Sequence, residues 1–159
     1  MLKRKIIDRP EKWYQSGHYK APLVFGARQV GKTTAIKEFA KAHYSHLIEV
    51  NFVKHPMAAK AFDGDLTTHT IITNLSAMGF GPFVEGKTLV FFDEIQECPN
   101  ARTAIKFLVE EHLFDYIESG SLSFSQFVDI KKHTVVLSDI KIVSSRVFID
   151  TPAKEICNQ

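Results

Sequence analysis

The chain has few of the features that mark specialised protein classes. Only two cysteines, Cys98 and Cys157, occur among its 159 residues, and they lack the spacing of a disulfide framework or a zinc site. Two unpaired thiols indicate a reducing compartment. The longest strongly apolar run, Thr88 to Phe92, is too short to span a bilayer, and no signal-peptide pattern follows the basic amino terminus. We therefore expect a cytoplasmic protein with no membrane partner.

The sequence also lacks an excess of charge of one sign. Twenty Lys and Arg nearly balance 18 Asp and Glu, and the net charge of +2 does not support nucleic acid as a partner. Hydrophobic residues make up 45% and charged residues 24%, which excludes a disordered or coiled-coil chain. A chain of this length buries roughly 70% of its unfolded surface. It can therefore fold without a disulfide or a structural metal.

Short apolar segments alternate with helical periodicity along most of the chain. Predicted strands occupy residues 23–25, 47–52, 87–93 and 113–118. Predicted helices occupy residues 2–15, with a break near Pro10, and 33–43, and two more begin after a cap at Asp65 and at Pro99. The third strand is apolar on both faces, which favours a central position in a parallel sheet. The pattern predicts an α/β fold whose mostly parallel sheet is flanked by helices.

The composition changes near Leu122, and this is the one domain boundary that the sequence suggests. We expect residues 1–122 to form a core domain and residues 123–159 an atypical β-rich segment. Short strands are predicted there at 134–137, 140–143 and 147–149. The sequence leaves open whether this segment completes the sheet or covers its edge.

The first predicted strand is followed by the spacing G-x-x-x-x-G-K-[ST]. The residues are Gly26, Ala27, Arg28, Gln29, Val30, Gly31, Lys32 and Thr33. Such a loop curls so that its N–H groups bind an anion, and the next helix adds the positive end of its dipole. Lys32 would reach the β- and γ-phosphates, Thr33 would ligate Mg²⁺, and Thr34 would lie near the α-phosphate. An ordinary glycine-rich turn is the alternative, but the strand–loop–helix context favours a nucleotide site.

The third predicted strand ends in two acidic residues. Leu89-Val90-Phe91-Phe92 is followed by Asp93-Glu94, which is the Walker B pattern. Asp93 falls at the carboxyl end of its strand, where open α/β sheets bind ligands. We expect Asp93 and Thr33 to hold Mg²⁺, and Glu94 to polarise an attacking water. Two acids that merely begin a loop are the alternative. On the favoured reading Lys32 and Glu94 are catalytic, and the presence of Glu94 favours hydrolysis over binding alone.

With these motifs the chain resembles the prokaryotic AAA-type P-loop ATPases, in which an ATP-binding domain precedes a carboxyl-terminal domain of unknown function. The resemblance covers about residues 1–122. Its segments are Lys3-Arg4-Lys5, residues 26–34, Lys37-Glu38-Phe39-Ala40, Asn51-Phe52, Gly64-Asp65-Leu66, residues 91–96 and Gly120-Ser121-Leu122. It implies an AAA-like nucleotide-binding fold, ATP and Mg²⁺ as ligands, and ATP hydrolysis. It also implies assembly into a homo-oligomer, since AAA-like domains usually act as rings.

The resemblance further implies a polar sensor residue at the end of the fourth strand. Ser119 and Ser121 both lie there, and a serine in a tight turn is an equal alternative. Glu118 departs from the family, which usually carries a small or hydroxylated residue at this point. Arg28, Arg102 and Arg146 are candidate arginine fingers by position, although a solvated surface arginine is the default interpretation of each.

The carboxyl-terminal part matches the family poorly. Members continue much further, with a helical lid and a second domain, whereas this chain ends at Gln159, as in a truncated member. Two alternatives to an ATPase therefore stay open: a nucleotide-binding module with little turnover, and an interaction protein or remnant of the family. A third alternative keeps the ATPase activity but links it to nucleic acid, which the charge does not support.

Overall fold

Helices and parallel strands alternate through the described residues up to Gly120. The computed structural model describes residues 8–17, 20–25, 31–121, 141–143 and 146–148. Helices α1 to α4 are Asp8–Gln15, Lys32–His43, Thr68–Ala77 and Pro99–Glu110. Strands β1 to β6 are Leu23–Phe25, His46–Asn51, Thr88–Asp93, Asp115–Gly120, Lys141–Val143 and Arg146–Phe148. None of the helices in these ranges has the length and apolar character that a membrane crossing requires.

Four of the strands form one sheet in the order β1-β4-β3-β2, and every neighbouring pair is parallel. The prediction that β3 is central is confirmed, because it lies between β4 and β2 and all of its residues are buried. In the register, Asn51 is opposite Asp93, and Val24 is opposite Ser119. Parallel strands end at the same edge of a sheet. The residues that end or follow β1 to β4 therefore meet along one edge.

Helices cover both faces of this sheet, as the alternation predicts. One face packs against α1 and α2, and its buried residues are Val24, Leu89, Phe91 and Ile117 from the strands with Trp13, Ile36, Phe39 and Ala40 from the helices. The other face packs against α3, α4 and a 3₁₀ segment, Pro56–Phe62, that the sequence did not predict. Alternate residues of a strand point to opposite faces. This alternation determines which side chains can reach α2 and which can reach α4.

The capping prediction for α3 is wrong. The helix begins at Thr68, and its cap is Thr67, whose hydroxyl accepts a hydrogen bond from the Thr70 N–H at 3.3 Å. Asp65 is exposed and lies too far ahead of the helix. A capping side chain must reach the N–H groups of the first turn, so it has to stand directly before the first helical residue. Thr67 occupies that position.

The carboxyl-terminal strands β5 and β6 pair with each other. They are antiparallel, with Ile142 opposite Val147, in a two-stranded sheet separate from the four-stranded one. The predicted strands at 140–143 and 147–149 are therefore confirmed, with bounds shifted by one residue. The predicted strand at 134–137 lies outside the described residues, and the division of the chain at residue 122 stays a prediction.

Candidate functional site

The Asp93 carboxylate is the centre of a buried polar cluster at the carboxyl edge of the sheet. Its Oδ1 accepts hydrogen bonds from the Ser119 hydroxyl and, at 3.1 Å, from the N–H of Glu94. Its Oδ2 accepts from Nδ2 of Asn51 at 2.8 Å and from the Thr33 hydroxyl at 3.3 Å. Asp93 itself is only 5% exposed. Four donors on two oxygens hold the carboxylate in one orientation and join β2, β4 and α2 to the end of β3.

Strand alternation explains why these side chains meet. Asp93 points to the same face as Phe91, which packs against α2, and Ser119 points to the same face as Ile117. Helix α2 begins at this edge, so Thr33 in its first turn comes within reach of Asp93. Gly31 precedes the helix at φ 85°, a left-handed conformation that glycine adopts without strain. Any other residue at position 31 would adopt this backbone conformation only at an energetic cost.

Lys32 is the second buried charge of this edge. It is 7% exposed, and its Nζ donates to the Ser121 hydroxyl at 3.4 Å. Lysine is seldom buried to this extent, because its charge is costly to remove from water unless it is paired. The 3.4 Å separation marks a weak hydrogen bond. Lys32 therefore extends across the edge of the sheet to the residue that follows β4, close to the Asp93 cluster.

Glu94 lies in a strained turn directly after β3. Its backbone is left-handed, at φ 56° and ψ 48°, which is uncommon for a residue with a side chain. A single 3₁₀ turn, Ile95–Glu97, follows and brings Nε2 of Gln96 to Oε2 of Glu94 at 2.6 Å. The other end of this amide, Oε1, accepts a hydrogen bond from the Ser121 N–H at 3.4 Å. Glu94 and Gln96 are both half-buried.

Glu118 and Arg102 interact on the opposite face of β4. Glu118 alternates with Ser119 and is 2% exposed, and burial raises the pKa of its carboxyl to about 7, opposed by the positive charge of Arg102. Burial lowers the pKa of Arg102 in turn, and the Glu118 carboxylate opposes that change. Arg102 is half-buried on α4, so the interpretation of this residue as a solvated surface arginine is wrong. Glu118, with which Arg102 interacts, points to the face of β4 opposite to the Asp93 cluster.

The structure brings four predicted site residues to one edge: Lys32, Thr33, Asp93 and Glu94. Both sensor candidates also lie there, since Ser119 contacts Asp93 and Ser121 contacts Lys32. Thr34 is exposed in the first turn of α2. The residues from Gly26 to Val30, including Arg28, lie outside the described residues, and for Arg146 only the backbone is described. The assigned roles of all these residues stay predictions.

Two site residues were not assigned a role from the sequence. Asn51 donates to Asp93, and its Oδ1 also accepts from the N–H groups of Val53 and Lys54 at 3.0 and 2.9 Å. Gln96 bonds to Glu94. A signal for Asn51 was available, because it is a polar residue at the carboxyl end of a strand, where such sheets bind ligands. Gln96 ends the family segment 91–96, but the sequence gives it no role, because its contact with Glu94 depends on the turn at Glu94.

The donor set fits Mg²⁺. The Thr33 hydroxyl and the Asp93 carboxylate are hard oxygen ligands, 3.3 Å apart, and Mg²⁺ prefers such ligands. In the ranges that the structure describes, no group of three or more His, Cys, Asp or Glu side chains forms a metal cage. Mg²⁺ needs no such cage, because one or two protein oxygens, substrate phosphates and water commonly complete its shell. Thr33 and Asp93 can supply the protein's share.

Comparisons with known proteins identify a family and a likeness to solved structures. A model of the family described as AAA domain matches residues 18–135. The solved structure of PCH-2 from C. elegans is similar at 19% sequence identity and a TM-score of 0.45. That likeness covers 78% of this chain and 37% of the PCH-2 chain, so this chain spans little more than a third of PCH-2. No curated protein sequence matches the chain significantly.

Proposed function

This chain belongs to the AAA domain family of nucleotide-binding domains, and on that basis we propose that it binds ATP with Mg²⁺ and hydrolyses the ATP. The observation that carries the proposal is the hydrogen bond between Thr33 and Asp93. It joins the G-K-T segment at the start of α2 to the acid that ends β3. In P-loop enzymes a hydroxyl and a carboxylate in these two places hold the metal beside the β- and γ-phosphates.

Binding of the triphosphate would rest on Lys32 and the start of α2. The ammonium group of Lys32 would neutralise charge on the β- and γ-phosphates, and N–H groups of residues 27–33 would surround them. Because the bond from Lys32 to Ser121 is long, exchanging Ser121 for a phosphate oxygen would cost little. The edge is built on rigid strands, which favours a site whose groups are already in place.

Hydrolysis would proceed by in-line attack of water on the γ-phosphorus. A bond forms from the water oxygen to phosphorus while the bond from phosphorus to the β–γ bridging oxygen breaks, and ADP leaves. Glu94 would orient the water and accept a hydrogen bond from it. Thr33 and Asp93 would hold Mg²⁺, which when bound neutralises charge that develops on the phosphate oxygens. Positioning and electrostatics would supply most of the acceleration.

Thermal melting with and without ATP and Mg²⁺ tests the binding step. Ligand at about a hundredfold above its dissociation constant stabilises a binding-competent fold by roughly 2.7 kcal/mol, so the melting temperature should rise. We expect Lys32→Ala to lose this rise. Lys41→Ala, an exposed lysine of the same helix, should keep it. Absence of a rise in the folded wild type would sink the proposal.

Steady-state release of phosphate tests the chemical step. We expect turnover in the wild type, and we expect Glu94→Gln to abolish it while the ATP-dependent rise in melting temperature remains. A wild type that melts higher with ATP but releases no phosphate would instead be a binding module.

Assembly into a homo-oligomer is a separate proposal that rests on the family. Sedimentation velocity with and without ATP would test it, and a monomer under both conditions would count against it.

A further inference from the structure

The side chain of Gln96 donates a hydrogen bond to the side chain of Glu94. We infer that Gln96 is a positioning residue, which holds the Glu94 carboxylate in the orientation that attack by water requires. The inference rests on the proposed ATP hydrolysis and adds a residue to it. Its basis is a chain of contacts that runs from Glu94 through Gln96 and Ser121 to Lys32.

The turn directly after β3 determines how Glu94 is presented. A left-handed conformation at a residue with a side chain costs about 1–2 kcal/mol, so the surrounding contacts must maintain it. The bond from Gln96 to Oε2 of Glu94 closes this turn, at 2.6 Å and with an ionisable carboxylate as acceptor. Such charge-assisted bonds are short and stronger than neutral ones. With Oε2 engaged, Oε1 is the oxygen that remains to be offered to a water.

The Gln96 amide has one favoured orientation. Its NH₂ group faces an acceptor, the Glu94 carboxylate, and its oxygen faces a donor, the Ser121 N–H. Exchanging the two ends would set donor against donor and acceptor against acceptor. The two partners therefore select one orientation of the amide. A glutamine suits this position because it combines a donor and an acceptor at the required distance from the backbone.

Ser121 connects Gln96 to Lys32, the lysine expected at the phosphates. Ser121 gives its N–H to Gln96 and accepts a bond from Lys32 on its hydroxyl. One residue after β4 thus contacts both the amide that holds Glu94 and the lysine expected at the phosphates. The two catalytic candidates therefore share Ser121 as a neighbour, through two long hydrogen bonds of 3.4 Å each. A disturbance at Gln96 should therefore reach the water-orienting group first and the nucleotide only weakly.

The variant Gln96→Glu separates the two contacts of the amide. It keeps an oxygen for the Ser121 N–H but removes the donor to Glu94 and places a second carboxylate there. We expect kcat to fall about ten- to hundredfold, because small misplacements of a catalytic group cost this much. The KM for ATP should change less than about twofold, because the variant disturbs the orientation of the Glu94 carboxylate and not the groups that bind ATP. Gln15→Glu, an exposed glutamine of α1, adds the same charge and should leave both constants unchanged.

A double-mutant cycle gives a readout that does not depend on ATP. We expect the urea midpoints of Gln96→Ala, Glu94→Ala and the double variant to be non-additive, with the double variant losing less than the sum of the single losses. The effect of alanine on the backbone at residue 94 occurs both in Glu94→Ala and in the double variant, so it cancels from the cycle. Additive midpoints would overturn the inference, as would an unchanged or raised kcat in Gln96→Glu. A wild type without turnover would overturn the proposed hydrolysis and this role together, so the two failures are distinguishable.

Discussion

The hydroxyl of Ser119 donates a hydrogen bond to Oδ1 of Asp93, and neither residue is more than 5% exposed. The bond ties β4 to β3 at the edge where the predicted site lies. A buried carboxylate depends on such donors, because it has lost the water that would otherwise solvate it. The interaction therefore stabilises the fold as well as the orientation of Asp93, and the first effect can be measured without a ligand.

We expect Ser119→Ala to lower the free energy of unfolding by about 1–3 kcal/mol, because it leaves a buried charged oxygen with one donor fewer. Urea unfolding followed by circular dichroism measures this loss. Ser76→Ala changes an exposed serine of α3 and should stay within about 0.5 kcal/mol of the wild type. Equal midpoints for the two variants would contradict the assignment of this bond as a stabilising one.

Asn51 offers a second test of the cluster. Its amide donates to Asp93 and accepts from the N–H groups of Val53 and Lys54, so Asn51→Leu removes three hydrogen bonds at once. We expect a loss of about 2–4 kcal/mol in urea unfolding, since a buried carboxylate loses a donor. Hydrogen exchange should also accelerate at the Val53 and Lys54 amides.

The control for this change is Asn100→Leu, an exposed asparagine in the first turn of α4. We expect it to alter neither the exchange of the two amides nor the midpoint by more than about 0.5 kcal/mol. Unchanged protection of Val53 and Lys54 in Asn51→Leu would show that this side chain does not hold the turn after β2.

The sequence predicted the parts of the fold that depend on local pattern. The apolar run before Asp93 identified the central strand, because a strand buried on both faces has no polar alternation. The spacing around Lys32 located the start of α2, and the family match over residues 18–135 agrees with the resemblance. For the central strand and for the start of α2 the signal lies within a dozen neighbouring residues and needs no knowledge of distant contacts.

The sequence did not predict contacts that depend on how the elements pack. Glu118 is polar in a strand, and only the inward-facing position of Arg102 on α4 shows why it can be buried. Gln96 reaches Glu94 because the backbone turns left-handed at that residue. The predicted cap at Asp65 is wrong because the sequence pattern did not give the exact start of α3. That start decides which side chain can reach the first N–H groups.

The corrected cap gives a paired test. Thr67→Ala should destabilise the protein by about 1 kcal/mol, because the Thr70 N–H loses its acceptor at the start of α3. Asp65→Ala should change the free energy of unfolding by less than about 0.5 kcal/mol, since this exposed residue precedes the cap. Thermal or urea unfolding of both variants decides the matter. A larger loss in Asp65→Ala would restore the original prediction.

Glu118 should make stability depend on pH. Burial raises the pKa of its carboxyl from 4.5 to about 7. Between these values the unfolded chain has released the proton that the folded chain still holds, so stability falls as the pH rises and levels off above about 7. A difference of one pKa unit between the folded and unfolded chain corresponds to about 1.4 kcal/mol. The raised pKa of Glu118 therefore lowers the free energy of unfolding above about pH 7 by roughly 3 kcal/mol. The Arg102 charge opposes the rise and limits this penalty.

The variant Glu118→Gln cannot ionise and should lack this dependence. We expect its free energy of unfolding, relative to the wild type, to increase by roughly 3 kcal/mol between about pH 4.5 and pH 8. Loss of the carboxylate that faces Arg102 would shift the free energy of unfolding by the same amount at every pH. It would therefore not change the pH dependence. Glu110→Gln, at an exposed position of the same helix as Arg102, should run parallel to the wild type. Urea unfolding at several pH values measures both differences. If the curve for Glu118→Gln also runs parallel to the wild type, the carboxyl of Glu118 ionises as readily in the folded chain as in the unfolded one.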